Sequence, residues 1–492
     1  MYILSLDQGT TGTTATVINA ETFEFIDKEN QEFKQYFPNT GWVEHDLDEI
    51  WKSVRLTVET VLKRNNIDTS KIKSIGITNQ RETTCAFNRK GEPLAKAIVW
   101  QDRRTAQYCE SIKADEELFK KKSGLPLDPY FSGTKMHWLL ENNQYVKEAH
   151  KNNDLRFGTI DTFLLYRLTG QTSFKTDVSN ASRTLLMELD NCSWDDELCE
   201  KLGIDKNLLP EICESICDFG ITKGLSFLPD GIPINGILGD QQAALFGQAC
   251  FKQGTGKCTY GTGAFMLVNT GEEKKYSDHG LLTTVAYKYQ GKTHYALEGS
   301  CYIAGACVQW LRDNLQIIDN AAQTEDKALN VKNIDQIKDL LLLPFFTGIG
   351  SPYWRPNAKA ALIGMTRATN TDDICRVALE GIALSINDLI KAMKSDMGSD
   401  LEEFKVDGGA VANNLLMQIQ ADISQINVTR PQIIETTSYG AALAAAIGAG
   451  LMTIEDVSKQ WKKESLFETK NDHRQYYDYK KNLWSKYIEI NF

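Results

Sequence analysis

Asp7-Gln-Gly-Thr-Thr-Gly-Thr-Thr14 follows a short apolar run, Tyr2 to Leu6, and leads into a second β-rich run, Ala15 to Ile18. Strand, Gly/Thr turn, strand predicts a hairpin. Read plainly, this is only a hairpin with a polar turn. Read chemically, Gly9 and Gly12 let the backbone approach a ligand closely, and the threonine hydroxyls and amides line a concavity suited to an anion. Asp7, just before the turn, is placed to hold Mg2+ beside a phosphate, directly or through water. The pattern returns in Gly254-Thr-Gly-Lys-Cys-Thr-Tyr-Gly-Thr-Gly-Ala264, followed by an expected strand from Phe265 to Val268. Within it, Gly256-Lys257 imitates the tail of a Walker A loop. Phe251 stands where that loop needs its first glycine, and Cys258 replaces its Ser/Thr, so it is not a P-loop. Two like turns predict two structurally related halves, each opening on a phosphate-facing hairpin.

Near the middle of the chain, Gly236-Ile-Leu-Gly-Asp-Gln-Gln-Ala-Ala-Leu-Phe-Gly247 passes from an apolar run into an Ala- and Leu-rich helical segment. Asp240 at that junction has a bland reading as the helix N-cap. In the sharper reading, Gly239 keeps the backbone clear and Asp240 points at a bound hydroxyl whose proton it takes.

The remaining motifs bear on which reading holds. A strand from Ile72 to Ile77 runs into Thr78-Asn-Gln-Arg-Glu-Thr-Thr84, where Arg81 and Glu82 form either a solvated edge pair or a donor and an acceptor for vicinal hydroxyls. The apolar run Ala97 to Trp100 ends in Gln101-Asp-Arg-Arg104, with Trp100 a core residue or a wall for a polyol's carbon edge. Asp128-Pro-Tyr-Phe-Ser-Gly-Thr-Lys-Met-His-Trp-Leu-Leu140 is a loop, carrying Tyr130, that enters a helix with Met136, Leu139 and Leu140 inward. Helices are also expected from Trp51 to Arg64, from Ala304 to Leu315, from Asp372 to about Met393, and over Ala441 to Met452. After the strand Phe404 to Val406, Gly408 and Gly409 mark a tight turn or a place where a ligand lies against the backbone.

Bulk numbers narrow the classes. At 492 residues, 42% hydrophobic and 24% charged, the chain is a folded protein of two or three domains. With 65 acids against 54 bases the formal charge is −11, which disfavours general binding to nucleic acid or an anionic membrane. Eleven scattered cysteines without a C-x-x-C pair fit a reduced, cytoplasmic setting. Cys213 and Cys217, four apart, are expected on one face of a helix. The isolated histidines predict no zinc site. No signal-peptide core or bilayer-length apolar run is present, so membrane insertion is not expected.

Taken in order, these stretches resemble the FGGY carbohydrate kinases, of the sugar-kinase/actin/heat-shock ATPase superfamily, from Asp7-Gln-Gly-Thr-Thr11 to Ser438-Tyr-Gly-Ala-Ala442. Tyr130-Phe-Ser-Gly-Thr-Lys-Met-His-Trp138 is similar to the family's first signature. Thr78-Asn-Gln-Arg-Glu-Thr83, Val99-Trp-Gln-Asp-Arg-Arg-Thr105 and Gly239-Asp-Gln-Gln242 resemble its glycerol-specific branch. The resemblance implies an α/β fold of two RNase H-like, actin-like ATPase domains flanking a central catalytic cleft. The expected N-terminal domain is 1–247, with the polyol site and first phosphate hairpin. The expected C-terminal domain is 248–492, with the second hairpin and the adenosine site.

It further implies ATP-dependent phosphorylation of glycerol to sn-glycerol 3-phosphate, with Asp240 as general base. Arg81, Glu82, Tyr130, Asp240 and Gln241 would hold glycerol, with Trp100 and Phe265 against its carbon edge. Thr10, Thr11, Gly12, Thr262, Gly305, Gln309, Gly409 and Asn413 would line ATP or ADP, and Asp7 would position Mg2+. A homo-oligomer, dimer or tetramer, is expected. Two departures stand out. Many members of the glycerol-specific branch end the first hairpin Ser-Ser-Arg, whereas this chain has Gly12-Thr13-Thr14 and lacks the arginine. The loop Leu225-Ser-Phe-Leu-Pro-Asp-Gly231 carries neither the Gly-rich, Arg-bearing sequence that binds a sugar bisphosphate in some members nor the histidine phosphorylated in others. Rivals are a kinase for another short polyol or ketose, and a nucleotide-gated scaffold, since actin-like folds also build filaments and chaperones.

Overall fold

The structure, a computed structural model, describes residues 1–491; Phe492, the last residue of the expected C-terminal half, lies outside them. The chain forms two compact units. The first comprises Met1–Ala249, Thr283–Tyr295 and Thr436–Gln460; the second comprises Cys250–Leu282, Ala296–Glu435 and the chain from Trp461 onward.

In the first unit six strands lie in the order Ile216–Ile221, Pro233–Gly239, Ile72–Asn79, Tyr2–Gln8, Gly12–Asn19, Phe25–Glu32. Tyr2–Gln8 runs antiparallel to Gly12–Asn19 and parallel to Ile72–Asn79, which in turn runs parallel to Pro233–Gly239. The Gly/Thr stretch is the turn of this first hairpin, closed by the Gly9 N–H donating to the Gly12 carbonyl at 2.9 Å. Along each strand alternate residues face opposite sides. Leu4, Leu6, Ile75 and Ile77 share a core with Val54, Val58 and Val61 of the helix Leu47–Arg64. Asp46 caps that helix by accepting from the Asp48 and Glu49 amides. Gly76, between Ile75 and Ile77, faces the other side, where the helix Thr436–Gly448 lies so close that a Cβ would fall 2.1 Å from the Ala441 carbonyl oxygen.

The second unit repeats the plan. Thr255–Tyr260 is antiparallel to Ala264–Gly271 and parallel to Glu403–Asp407, which is parallel to Val428–Pro431. Lys463–Phe467 adds an antiparallel strand beyond Val428–Pro431, as Ile216–Ile221 does beyond Pro233–Gly239. Its hairpin turn is closed the same way, Gly261 N–H to Gly263 carbonyl, 2.8 Å. The long helix Thr371–Met397 carries Leu379, Ile382, Ile386 and Leu389 into the core. It starts on a reciprocal Asn370–Asp373 capping box and stops at Gly398, whose φ of 66° is left-handed.

Two local expectations need correction. Cys213 and Cys217 are on strands, not a helix: Glu211–Cys213 pairs with Lys175–Asp177, and Ile216–Ile221 with Pro233–Gly239. β-branched Ile212 and Ile216 around the Glu214-Ser215 break favour extended backbone. The helix expected over Ala441 to Met452 begins earlier and ends at Gly448, because the chain turns through Gly450 at φ 71°.

Candidate functional site

The parallel strands of the first unit end side by side: Asp7 is in register with Thr78, and Asn79 with Gly239. Ligands of open α/β sheets gather beyond such carboxyl ends. The chain leaving Asn79 carries Arg81 and Glu82, and the chain leaving Gly239 carries Asp240. Arg81 and Glu82 do not form a solvated edge pair. They are 2% and 1% exposed, and each has a different partner.

Arg81 Nε lies 3.0 Å from Asp240 Oδ1, and its terminal nitrogen donates to Gln242 Oε1 at 3.2 Å. Asp240 is the first residue of the helix Asp240–Gly247 and not its N-cap, a position held by Gly239. The same Oδ1 accepts the Gln241 N–H at 2.7 Å, and the side chain is 30% exposed. Gly239 makes room for the pair, because a Cβ there would sit 2.6 Å from Arg81 Cδ. Ser179 Oγ accepts the Gly239 N–H at 2.9 Å and fixes the strand-to-helix corner from behind.

Glu82 Oε1 receives Arg183 Nε at 2.6 Å, a pair with side chains 2% and 0% exposed. Glu82 also has φ 61°, left-handed backbone that costs a non-glycine residue roughly 1–2 kcal/mol. Its carbonyl accepts from Ser132 Oγ at 3.0 Å, Thr84 Oγ1 at 3.3 Å and Lys135 Nζ at 3.4 Å. Ser132 and Lys135 lie on the helix Ser132–Asn142, whose preceding loop carries Tyr130. The Trp100 ring meets Tyr130 edge-on at 5.7 Å, and the Arg183 guanidinium lies 5.7 Å from the Tyr130 ring centre. Trp100 Nε1 donates to Thr10 Oγ1 at 2.9 Å, which ties this group to the first hairpin. Arg81, Glu82, Trp100, Tyr130, Asp240 and Gln241 thus belong to the first unit together with Asp7, Thr10, Thr11 and Gly12. Asp7, half-buried one residue before the end of its strand, offers a hard carboxylate oxygen of the kind Mg2+ takes. Thr14 Oγ1, at the end of the hairpin, accepts from Asn30 Nδ2 at 2.9 Å.

Behind the hairpin, Gln80 Nε2 lies within hydrogen-bond distance of Gln8 Oε1, the Gly9 carbonyl and His45 Nδ1, at 3.0, 3.2 and 3.2 Å. His45 is 0% exposed and packs edge-on against Phe33. Burial disfavours the charged ring and lowers its pKa to about 4. Unfolded, it would titrate near 6.5. Its contribution to stability is therefore complete above that value and is lost as pH falls toward 4, by roughly 3 kcal/mol at full extent. His45→Gln should flatten the fall in urea midpoint between pH 7 and pH 5; an unchanged slope would clear His45 of that role.

The second unit holds Phe265, Thr262, Gly305, Gln309, Gly409 and Asn413. Phe265 is half-buried at the start of Ala264–Gly271, opposite Thr259. Exposed Thr262 forms the hairpin turn, and its carbonyl accepts the Ala306 N–H at 3.0 Å. The Gly305 N–H donates to the Gly261 carbonyl at 2.9 Å. The start of the helix Gly305–Asp313 is thereby laid on the turn, and Gln309 lies exposed on that helix. Gly408, at φ 90°, packs against Tyr260, where a Cβ would fall 2.6 Å from the carbonyl oxygen. A Cβ at Gly409 would meet nothing within 4 Å. Asn413 caps the helix Asn414–Ser424 by accepting the Leu416 N–H at 2.8 Å.

Arg183 and Lys135 were not legible as part of this group. Arg183 sits in Ser179-Asn-Ala-Ser-Arg-Thr184, which has no self-evident chemistry, and nothing in the sequence marks Lys135 as buried.

Family models match both halves of the chain. The N-terminal domain model of the FGGY family of carbohydrate kinases matches residues 2–247, and the C-terminal domain model matches residues 256–449. The chain belongs to the FGGY family of carbohydrate kinases. It is 49% identical over 475 residues to a glycerol kinase of Myxococcus xanthus, covering 95% of each chain. To a glycerol kinase of Staphylococcus epidermidis it is 47% identical over 488 residues, covering 98% of this chain and 97% of the other. The crystal structure of Plasmodium falciparum glycerol kinase with ADP superposes with a TM-score of 0.91 at 36% identity, covering 100% of this chain and 98% of that one. Among the described residues, no helix is long and apolar enough to cross a membrane.

Proposed function

We propose that the protein transfers the γ-phosphoryl group of ATP to glycerol, giving sn-glycerol 3-phosphate and ADP. The observation that carries this reading is the gathering of Arg81, Glu82, Trp100, Tyr130 and Asp240 beyond the sheet of the first unit. Near-half identity to two glycerol kinases over almost the whole chain supports it, as does the likeness to a glycerol kinase with ADP.

Arg81 can only donate hydrogen bonds and ionised Glu82 can only accept them, so a vicinal diol finds a partner for each kind of group. Trp100 and Tyr130 supply apolar surface for the carbon edge. Asp240, partly open to solvent and aligned by Arg81 and the Gln241 amide, accepts the proton of the attacking terminal hydroxyl. Phosphoryl transfer asks mainly for alignment and charge neutralisation. Thr10, Thr11 and Gly12 present hairpin amides and hydroxyls to the phosphates, with Thr262, Gly305, Gln309, Gly409 and Asn413 assigned to the rest of the nucleotide. Asp7 would hold Mg2+, which supplies Lewis-acid neutralisation of phosphate charge when bound.

The test is ADP release by the purified protein with ATP and Mg2+, with and without a panel of glycerol, propane-1,2-diol, xylulose and ribulose. Glycerol should raise turnover far above the polyol-free rate and above every other acceptor. ATP turnover indifferent to all four would favour a nucleotide-gated scaffold, and a ketose preference would move the enzyme to another branch of its family.

A further inference from the structure

Lys135 has no place in the chemistry above, yet its surroundings are built around that chemistry. Its side chain is 0% exposed. Nζ donates to the Tyr130 carbonyl at 2.5 Å and to the Glu82 carbonyl at 3.4 Å. Lysine is among the residues least often fully buried, and a buried ammonium contributes little net stability. Burial pushes this one down to about 7, opposed by the charges of Glu82, Asp102 and Asp128, while Arg103 adds to the lowering. A residue so unfavourable to bury, bonded to two peptides of one site, calls for a reason other than stability.

The reason lies in the backbone of Glu82. At φ 61° it is in a conformation that a glutamate does not hold unaided. Three donors converge on its carbonyl, from Lys135, Ser132 and Thr84. Lys135 differs from the other two because it also holds Tyr130. Arg183 then completes the arrangement from the side-chain end, on Glu82 Oε1 at 2.6 Å and facing the Tyr130 ring.

We infer that Lys135 is a positioning residue for acceptor specificity: its ammonium clamps the Glu82 and Tyr130 peptides to each other and so sets where the Glu82 carboxylate and the Tyr130 ring meet the polyol. This deepens the function proposed above and rests on it for the identity of the polyol. The clamp acts on acceptor geometry, and Lys135 itself bonds to none of the residues assigned to the nucleotide. Losing it should therefore raise KM for the polyol and blunt discrimination between polyols, with KM for ATP unmoved. A merely structural lysine would instead lower the fraction of active enzyme, which reduces kcat and leaves both KM values and all substrate ratios in place.

The experiment compares wild type with Lys135→Met and with the milder Ser132→Ala, which removes one donor from the Glu82 carbonyl. Two readouts are taken: kcat and KM for glycerol, propane-1,3-diol and ATP, and hydrogen exchange of segments 81–85 and 129–133. Lys135→Met should raise KM for glycerol at least tenfold, narrow the glycerol-to-diol ratio of kcat/KM, leave KM for ATP within twofold, and speed exchange in both segments. Ser132→Ala should move the same quantities less, and it keeps the test alive should Lys135→Met not fold. Unchanged exchange in both segments overturns the clamp, as does an unchanged glycerol-to-diol ratio in an enzyme whose wild type uses glycerol. A wild type indifferent to glycerol, with exchange still responding to Lys135→Met, unseats the proposed substrate and supports the clamp.

Discussion

Asp240→Asn should leave the fold in place and lower turnover with glycerol by about 10²–10⁴-fold, the scale of a lost general base. The substitution is nearly isosteric, and an amide oxygen still accepts the Gln241 N–H that Asp240 accepts at 2.7 Å. What disappears is the basic oxygen. Arg81, 2% exposed, keeps a polar neighbour 3.0 Å from Nε and its second partner Gln242, so the loss of the ion pair is cushioned. Asp240 itself is partly solvated, which further limits the effect on stability. A coupled ADP assay gives kcat and KM for glycerol, and a thermal melt checks the fold. A folded Asn variant with near-normal turnover would remove Asp240 from the chemical step.

The second large effect concerns the middle hydroxyl. An acceptor without it, propane-1,3-diol, leaves a buried polar group of the site without its partner, at a cost of roughly 1–3 kcal/mol and more where that group is charged. Glycerol should therefore be much the better acceptor in the wild type. Changing Glu82 should narrow the gap by roughly tenfold or more, by damaging the glycerol reaction alone. The ion pair with Arg183 decides which variant to make. Glu82→Ala would strand a fully buried guanidinium, a change that typically destabilises by about 3–5 kcal/mol. Glu82→Gln keeps an acceptor for Arg183 Nε and removes the charge. Both acceptors responding alike to Glu82→Gln would take Glu82 out of the polyol contacts.

How much of this was readable in the chain depends on distance along it. The two hairpins were legible because a Gly/Thr turn between β-rich runs is a local signal, and both turns form with matching hydrogen bonds. The helix after Asp240 was legible from its composition. Its geometry was not: Gly239 is glycine because Arg81, 158 positions earlier in the numbering, passes over it. Arg81 and Glu82 were legible as a donor and an acceptor, but not their separate partners, since Arg183 is brought to Glu82 only by folding. The thiols at Cys213 and Cys217 were misread for a related reason. A spacing of four is compatible with a helix face, and only the pairing of Ile212 and Ile216 with strands of different sheets rejects it.

The helix Thr436–Gly448, described above as one wall of the first unit, also fixes when that unit can come into being. It packs on Gly76 and Gly236, and at Gly440 a Cβ would fall 1.9 Å from the Ala243 carbonyl oxygen, against the helix that carries Asp240. On a growing chain the strands that end in Gln8, Asn79 and Gly239 are made first, and they wait with one apolar face uncovered until residues 436–460 have left the ribosome. Non-local closure of this kind is slow and leaves the nascent chain exposed to aggregation. A fragment ending near residue 249 would remain in that waiting state, so the half proposed to bind the polyol is a product of late synthesis although nearly all of the residues assigned to it are encoded early.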